Sequence, residues 1–381
     1  MERNELQEKL LSFFQDLHRH PELSGQEVRT TRRVKEALLA AGIEVLDEGL
    51  ATGLVARIRG GRPGPVVALR ADMDALPLQE ETDLPYASEN PDVMHACGHD
   101  YHTTVMLGAA LQLQTEAASL PGTALVIFQP SEEVDDGACR ILRTGYVDQA
   151  GAVFGIHSYP HFPSGKLGIK EGPVMAAVDR FDVRIIGRGA HAAHPHKGLD
   201  PIVILAAVIQ SLQTLVSRRL DPFSSAVVTV GHVEAGTAYN IIPNEARMEG
   251  TLRTLDEAER SMLRESFLRM VSGIAEAHGA RAEIDWESGS PAVVNDAALC
   301  GLCRETAAAC GFEVGRQEDT MGAEDFSEYL QGRPGVFVRV GTGGDYPAHH
   351  PKFAVDPSGL AQASLYFAAL AGAWLRREEK A

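Results

Sequence analysis

The chain has 381 residues, 44% of them hydrophobic, and 35 lysines and arginines set against 52 aspartates and glutamates give a net charge of −17. That length is enough for two domains with buried cores, and so acidic a surface repels phosphate backbones, which argues against a nucleic-acid partner. The five cysteines are odd in number and scattered, so a reducing cytoplasm is expected rather than a disulfide framework.

The N-terminal stretch MERNELQEKLLSFFQDLHRH places Leu6, Leu10, Phe13, Phe14 and Leu17 on one face of an amphipathic helix. It lacks the basic start and continuous apolar block of a signal peptide. No run approaches ~18 apolar residues, so no membrane span is expected. Further on, PVVALR (65–70), TALVIF (123–128), AVFGIH (152–157) and VFVRVG (336–341) read as buried strands. Helical patterns separate them, notably TVMLGAALQLQ (104–114). Such alternation predicts an α/β domain whose mostly parallel sheet is covered on both faces.

The middle of the chain follows another pattern. RFDVRIIG (180–187) alternates like a half-exposed strand, and Asp200-Pro201 caps and opens a helix to about Arg219. Strands at 226–236 and 245–254, a helix from about Leu255 to His278 and the strand ARAEIDW complete an α+β unit with one open sheet face. We place this inserted domain at 179–291, which splits the outer domain into 1–178 and 292–381. Cys300 and Cys303 form a CxxC, but the Ala-rich surroundings predict a core helix over a redox or zinc site.

Chemistry gathers where the buried strands end. PVVALR runs into Asp72 and Asp74, TALVIF into Glu132 and Glu133, AVFGI into His157, and VFVRVG is followed by His349 and His350. VMHACGHDYH (93–102) precedes a helix and belongs at the same edge, where open α/β sheets bind ligands. Any one of these side chains alone reads more simply as a cap, a solvated pair or a structural histidine. Their joint occurrence has one explanation, because thiolate, imidazole and carboxylate are the ligands of zinc and its neighbours. An HExxH, a GxSxG, a P-loop and a deaminase pattern are all missing, and GRGAH (187–191) is too short for a dinucleotide fingerprint.

RADMDALP, MHACGHDYHT, FQPSEE, GIH, GRGAHAAHPHKGLDPI, NIIPNEARMEGTLRT, GAEDFS and AHHPKF run in order from about residue 70 to 353. In these the chain resembles the co-catalytic zinc metallopeptidases that include aminoacylases, in their hippurate hydrolase and auxin-conjugate amidohydrolase branch. The resemblance implies a metallopeptidase domain with an inserted lid or dimerisation domain. It implies that Cys97, His99, Glu133, His157 and His349 bind two divalent metal ions, with Cys97 where other branches bridge the metals by aspartate. His350 is a rival for the last ligand. Glu132 matches the catalytic base, and Asp74 an aspartate that orients a metal-binding neighbour. His191 matches a histidine that reaches the other subunit's active site, and Asn240 and Arg253 match positions that bind substrate.

The expected function is thus hydrolysis of N-acyl or N-aroyl amino acids to a carboxylic acid and an amino acid. A dipeptidase of the same fold and a non-catalytic metal-binding protein are the alternatives. Zinc, manganese, cobalt and nickel all tolerate this ligand set. A homodimer through the inserted domain is implied, with a tetramer left open.

Overall fold

The computed structural model describes residues 2–379. In chain order the elements are α1 (Arg3–Arg19), α2 (Val28–Ala40), β1 (Glu44–Leu46), β2 (Leu54–Arg59), β3 (Arg62–Asp72), α3 (His99–Glu116), β4 (Pro121–Gln129), α4 (Gly137–Arg143), β5 (Ala152–Tyr159), β6 (Lys166–Gly168) and β7 (Gly172–Met175). There follow β8 (Ala177–Ile186), β9 (Ala190–His191), α5 (Pro201–Thr214), β10 (Ala226–Ala235), β11 (Ile241–Ile242), β12 (Glu245–Thr254), α6 (Glu257–Ala277) and β13 (Arg281–Ser288). The chain closes with β14 (Val293–Asn295), α7 (Ala297–Ala309), β15 (Glu313–Gly315), β16 (Gly335–Gly341) and α8 (Leu360–Glu378). It forms two compact units. One holds the chain to Gly172, Val294–Glu318 and everything from Asp325 onward, and the other holds Pro173–Val293 with Asp319–Glu324.

The first unit is built on an eight-stranded sheet of order β1-β2-β4-β3-β5-β16-β6-β15. Its centre, β4-β3-β5-β16, is parallel, and β1, β2 and β6 pair antiparallel at the flanks. β4, β5 and β16 are buried along almost their whole length and β3 along its carboxyl half, the pattern of a sheet covered on both faces. From β3 the chain passes through α3 to β4 on one side, then through α4 to β5 on the other. The crevice at the carboxyl ends of β3 and β5 is therefore a topological switch point. α3 packs against α1, α8 and the sheet and is buried nearly all round, so it carries no polar face. Cys300 and Cys303 are buried on α7, and burial pushes the Cys300 thiol up to about 11, as an inert core thiol requires.

The second unit is a four-stranded antiparallel sheet, β10-β12-β8-β13, with α5 and α6 on one face. Phe181, Val183, Ile185, Leu205, Met248 and Phe267 form its core. The other face carries ion pairs, among them Arg247 to Asp182 at 2.9 Å and His232 to Glu249 at 3.0 Å. The alternation in 180–187 reflects this one-sided burial. Asp200 caps α5 by accepting from the Ile202 N–H at 3.0 Å, with Pro201 in the first turn. The segment Pro201–Arg219 is long and apolar enough to cross a membrane by length and composition alone, and its Ile204, Leu205, Val208, Leu212 and Leu215 pack in this core. Asp319–Glu324 groups with this unit because Ala176 and Thr320 bond across to Gly322 and Val174.

His18, in the last turn of α1, supports the first unit from beneath. Its Nδ1 donates to Asp100 at 2.6 Å, and its Nε2 lies 3.3 Å from Glu80. Burial disfavours its charge, but Asp100 and Glu80 outweigh burial and raise its pKa to about 9. A raised folded-state pKa contributes stability that is complete below the unfolded value, about 6.5, and is lost as pH climbs through about 9. In urea unfolding across pH 5–10, the stability gap between wild type and His18→Gln is expected to be largest at the acid end and to shrink toward about pH 9. A gap that is constant with pH would show that folding does not shift the His18 pKa.

Candidate metal centre

Four segments converge at the switch point. The first is the loop into α3, which presents Cys97 and, as the first residue of the helix, His99. Gly98 between them has φ +84°, and a Cβ there would stand 2.8 Å from Ser158 Oγ. Glycine is thus demanded by both conformation and space. The second segment is the 3-10 turn Glu132–Val134 just after β4, bracketed by Ser131 and Asp135, both near φ +59°. The third is the end of β5, which delivers His157. The fourth is the loop after β16, where His349 has φ +67° and its N–H donates to Ala96 O at 2.8 Å.

Two triads of donor atoms, Cys97–His99–His157 and Cys97–Glu133–His349, come together here beside a third, His99–Glu132–Glu133, that has no sulfur, and the first two are joined through one atom; each lies within 4.8 Å. That atom is the Cys97 sulfur. Sγ lies 3.5 Å from His157 Nε2, and His349 Nε2 lies 3.4 Å from Glu133 Oε1. His99 Nε2 is 3.8 Å from Glu133 Oε1 and 3.9 Å from Glu132 Oε2. Tetrahedral ligands at zinc-like bond lengths sit about 3.3–3.8 Å apart, so the spacings suit a shared ion better than direct hydrogen bonds. His99 Nε2 and Glu133 Oε1 are buried without a hydrogen bond, an arrangement that is costly unless a further partner binds. His350, the rival ligand, turns elsewhere: its ring stacks on Tyr346 at 4.5 Å and its Nδ1 accepts from the Lys352 N–H.

Each histidine is oriented through its other nitrogen. His99 Nδ1 donates to Asp74 Oδ1 at 3.1 Å, and His157 Nδ1 to Ser158 O at 2.8 Å. Both Nε2 atoms are left facing the cluster. The second oxygen of Asp74 accepts from the Glu133 N–H at 3.0 Å and from Ser24 Oγ at 2.7 Å. One aspartate thus orients two of the candidate ligands.

A second network lies beneath. Arg70 on β3 is fully buried and donates to Asp72, Gln129 and Asp325 at 2.7–2.8 Å. Asp72 accepts from His102 Nδ1 at 2.5 Å, and His102 Nε2 accepts from the Ser158 N–H at 2.6 Å, next to His157. Asp72, His99 and His102 are also close enough to hold an ion, but these hydrogen bonds already occupy Asp72 and His102. Asp100 serves His18, and His95 is fully buried with neither ring nitrogen hydrogen-bonded.

The electrostatics favour a cation. Cys97 and Glu133 beside His349 push its pKa up to about 10. Burial disfavours a charged His99, yet Asp72, Cys97 and Asp74 together raise it well above the usual imidazole value. His157 is held low by burial, then by Arg339 and His102, and is a neutral donor. Soft thiolate, imidazole and carboxylate together fit zinc, manganese, cobalt or nickel.

The remaining sequence-predicted residues lie in the second unit. His191 on β9 pairs with Ile241 on β11, and Asn240 O accepts from the Ala192 N–H at 3.0 Å, so His191 and Asn240 share one exposed ribbon. His191 Nδ1 accepts from the Ala193 N–H at 3.1 Å, which leaves the proton on Nε2 of this exposed ring. Arg253 on β12 donates to Met321 O at 2.9 Å. His194 and His196 are exposed neighbours in the same loop. Sequence reasoning overlooked Arg70, Glu27, Ser131 and Ser158. An arginine inside an apolar strand was the one available signal among them.

A covered parallel sheet carrying thiolate, imidazole and carboxylate donors at its switch point defines a metallohydrolase. The chain belongs to peptidase family M20/M25/M40, which matches residues 68–373. It is 45% identical to an N-acetylcysteine deacetylase of Bacillus subtilis over 95% of this chain and 96% of that one. It is 43% identical to an N-acyl-L-amino acid amidohydrolase of Geobacillus stearothermophilus over 77% of this chain and 79% of that one. The fold superposes, with a TM-score of 0.90 at 42% identity, on the Bacillus subtilis YXEP protein, described as a dinuclear metal-binding peptidase, covering 98% of this chain and 99% of that one.

Because the pKa of His349 stands at about 10 when no cation is bound, a metal that binds through His349 must displace its proton. Metal affinity is expected to weaken as pH falls from 8 to 6. Calorimetric titration in two buffers of different ionisation enthalpy should show net proton release. Binding without proton release would contradict the charge distribution described above.

Proposed function

We propose that this protein is a metal-dependent amidohydrolase that cleaves N-acyl amino acids, N-aroyl ones included, to a carboxylic acid and an amino acid. The observation that carries the proposal is Glu132. It stands in the same three-residue turn as Glu133, with Oε2 3.9 Å from His99 Nε2. A protein that only stored metal would need no second carboxylate there. Two divalent ions are assigned to the two triads, with Cys97 common to both. Bound there, they would supply an activated water near neutral pH and polarise the acyl oxygen.

The chain's own residues do the rest. Glu132 accepts the proton of the attacking water and returns it to the leaving nitrogen, which would otherwise depart as an unstable amide anion. Asp74 keeps His99 and Glu133 in register while this happens. His191, through its Nε2–H, is assigned to the carbonyl oxygen as it gains charge. Asn240 is assigned to the substrate amide, and the planar fork of Arg253 to its free carboxylate.

A homodimer through the inserted domain belongs to this proposal. It is supported by the edge position of β10 and by the exposed Phe223, Tyr239, Ile241 and Val203 of the same unit. His191 would then serve the second copy.

Two experiments test the proposal. Apo-protein is loaded with each metal in turn and offered N-acetylcysteine, N-acetylmethionine, N-benzoylglycine and dipeptides. Glu132→Gln is expected to lose about 10²–10⁴-fold in kcat with its metal content unchanged. Preferred cleavage of dipeptides would make the enzyme a dipeptidase, and retained metal without any turnover would make it a metal-binding protein. In the second experiment, inactive Glu132→Gln and His191→Ala proteins are mixed and re-equilibrated. A mixed dimer holds one complete site if His191 acts across the interface, so activity should reappear. Its failure to do so would confine His191 to its own chain.

A further inference from the structure

We infer that Glu27 is a positioning residue for the catalytic turn, acting through Ser131, and that the loop 22–27 registers both glutamates against the other ligands. The inference rests on the reading of Glu132 as the base.

Glu27 sits at the N-cap of α2, where a short polar side chain normally caps its own helix. It makes no such bond. The carboxylate of Glu22 serves that helix end instead, accepting from the N–H groups of Arg29 at 3.0 Å and Thr30 at 2.8 Å. Glu27 is turned inward and is completely buried. Its Oε1 accepts from the Gly25 N–H at 2.9 Å and from the Ser131 N–H at 2.8 Å, a residue 104 positions away. Burying a carboxylate there costs stability, so helix capping and stability do not explain its placement.

Ser131 explains it. The residue is buried, has the left-handed φ of +59°, and its hydroxyl makes no hydrogen bond. A non-glycine residue in that conformation is strained by about 1–3 kcal/mol and persists only where its surroundings over-determine it. The Glu27 carboxyl oxygen accepts a hydrogen bond from Ser131 at the residue before Glu132. The direction in which Glu132 leaves β4 depends on that bond.

The same loop reaches the ligands by a separate route. Ser24 Oγ donates to Asp74 Oδ2, which also holds the Glu133 N–H, and Glu22 O accepts from the Ala75 N–H at 2.8 Å. Six residues thus grip the end of β3 and the turn after β4. Glu27 governs Glu132, and Ser24 governs Glu133 and His99.

The test compares Glu27→Ala, Glu27→Gln, Ser24→Ala and the double variant Glu27→Ala/Ser131→Gly, all saturated with cobalt. Turnover of N-acetylmethionine and the visible cobalt spectrum are measured for each. In Glu27→Ala, kcat is expected to fall about 10–100-fold while KM stays within about threefold. Its spectrum should be unchanged, because Asp74 still holds the ligands. Glu27→Gln keeps an acceptor oxygen and should stay within about threefold of wild type in kcat. Glycine adopts positive φ without strain, so Ser131→Gly should restore part of the lost kcat. Ser24→Ala should alter the cobalt spectrum. Should Glu27→Ala fail to fold, Glu27→Met, which fills the space without an acceptor, carries the same expectation.

Unchanged kcat in Glu27→Ala, a loss that Ser131→Gly does not relieve, or an equal loss in Glu27→Gln would each overturn the inference. An inactive Glu132→Gln beside a fully active Glu27→Ala overturns this inference alone. An active Glu132→Gln overturns the assignment of the base, and this inference with it.

Discussion

The guanidinium of Arg70 is completely enclosed at the carboxyl end of β3, and the metal-binding edge is built outward from it. A charge in that position is tolerable only if it is paired and fully hydrogen-bonded. Asp72, Gln129 and Asp325 meet that demand from three different segments. Gln129 is bonded in turn by the Tyr329 hydroxyl, and Asp325 also accepts from the Ala138 N–H. Removing any of these partners would strand the others in a low-dielectric interior. The strand ends therefore cannot shift independently.

From this base, order passes upward in short steps. Asp72 is held well below the usual carboxylate range, since His99, His102 and Arg70 outweigh its burial. Its bond to His102 positions the Ser158 N–H, which follows His157. Asp74, two residues along, reaches His99 and Glu133. Positive φ at Gly98, Ser131, Asp135 and His349 shows that the chain is bent sharply at three of the four segments that present a donor, His157 coming from the extended end of β5. The strain of the three non-glycine bends is local and is absorbed by the rigid network below.

The second unit follows a different logic. One face of its sheet packs on α5 and α6, and the other is a lattice of paired charges in water. Its apolar exposure is concentrated elsewhere, at Phe223, Tyr239, Ile241, Ile202 and Val203.

Much of this was legible in the chain. Continuous apolar runs ending in Asp, Glu and His marked a covered parallel sheet and its functional edge, because burial on both faces erases alternation and ligand sites lie at strand ends. CGH and SEE marked the donors, because few other reasons put thiol, imidazole and paired carboxylates beside strand ends. Other features were settled only in three dimensions. His349 faces the cluster while His350 stacks on Tyr346, since the positive φ of His349 sends adjacent side chains in different directions. The sharing of Cys97 by two triads, the tautomers of His99 and His157, and the reach of Glu27 to Ser131 depend on contacts between segments far apart in the chain. Residue type and periodicity report what a segment can do locally. A hydrogen bond across 104 residues is created only by packing, and no local pattern encodes it.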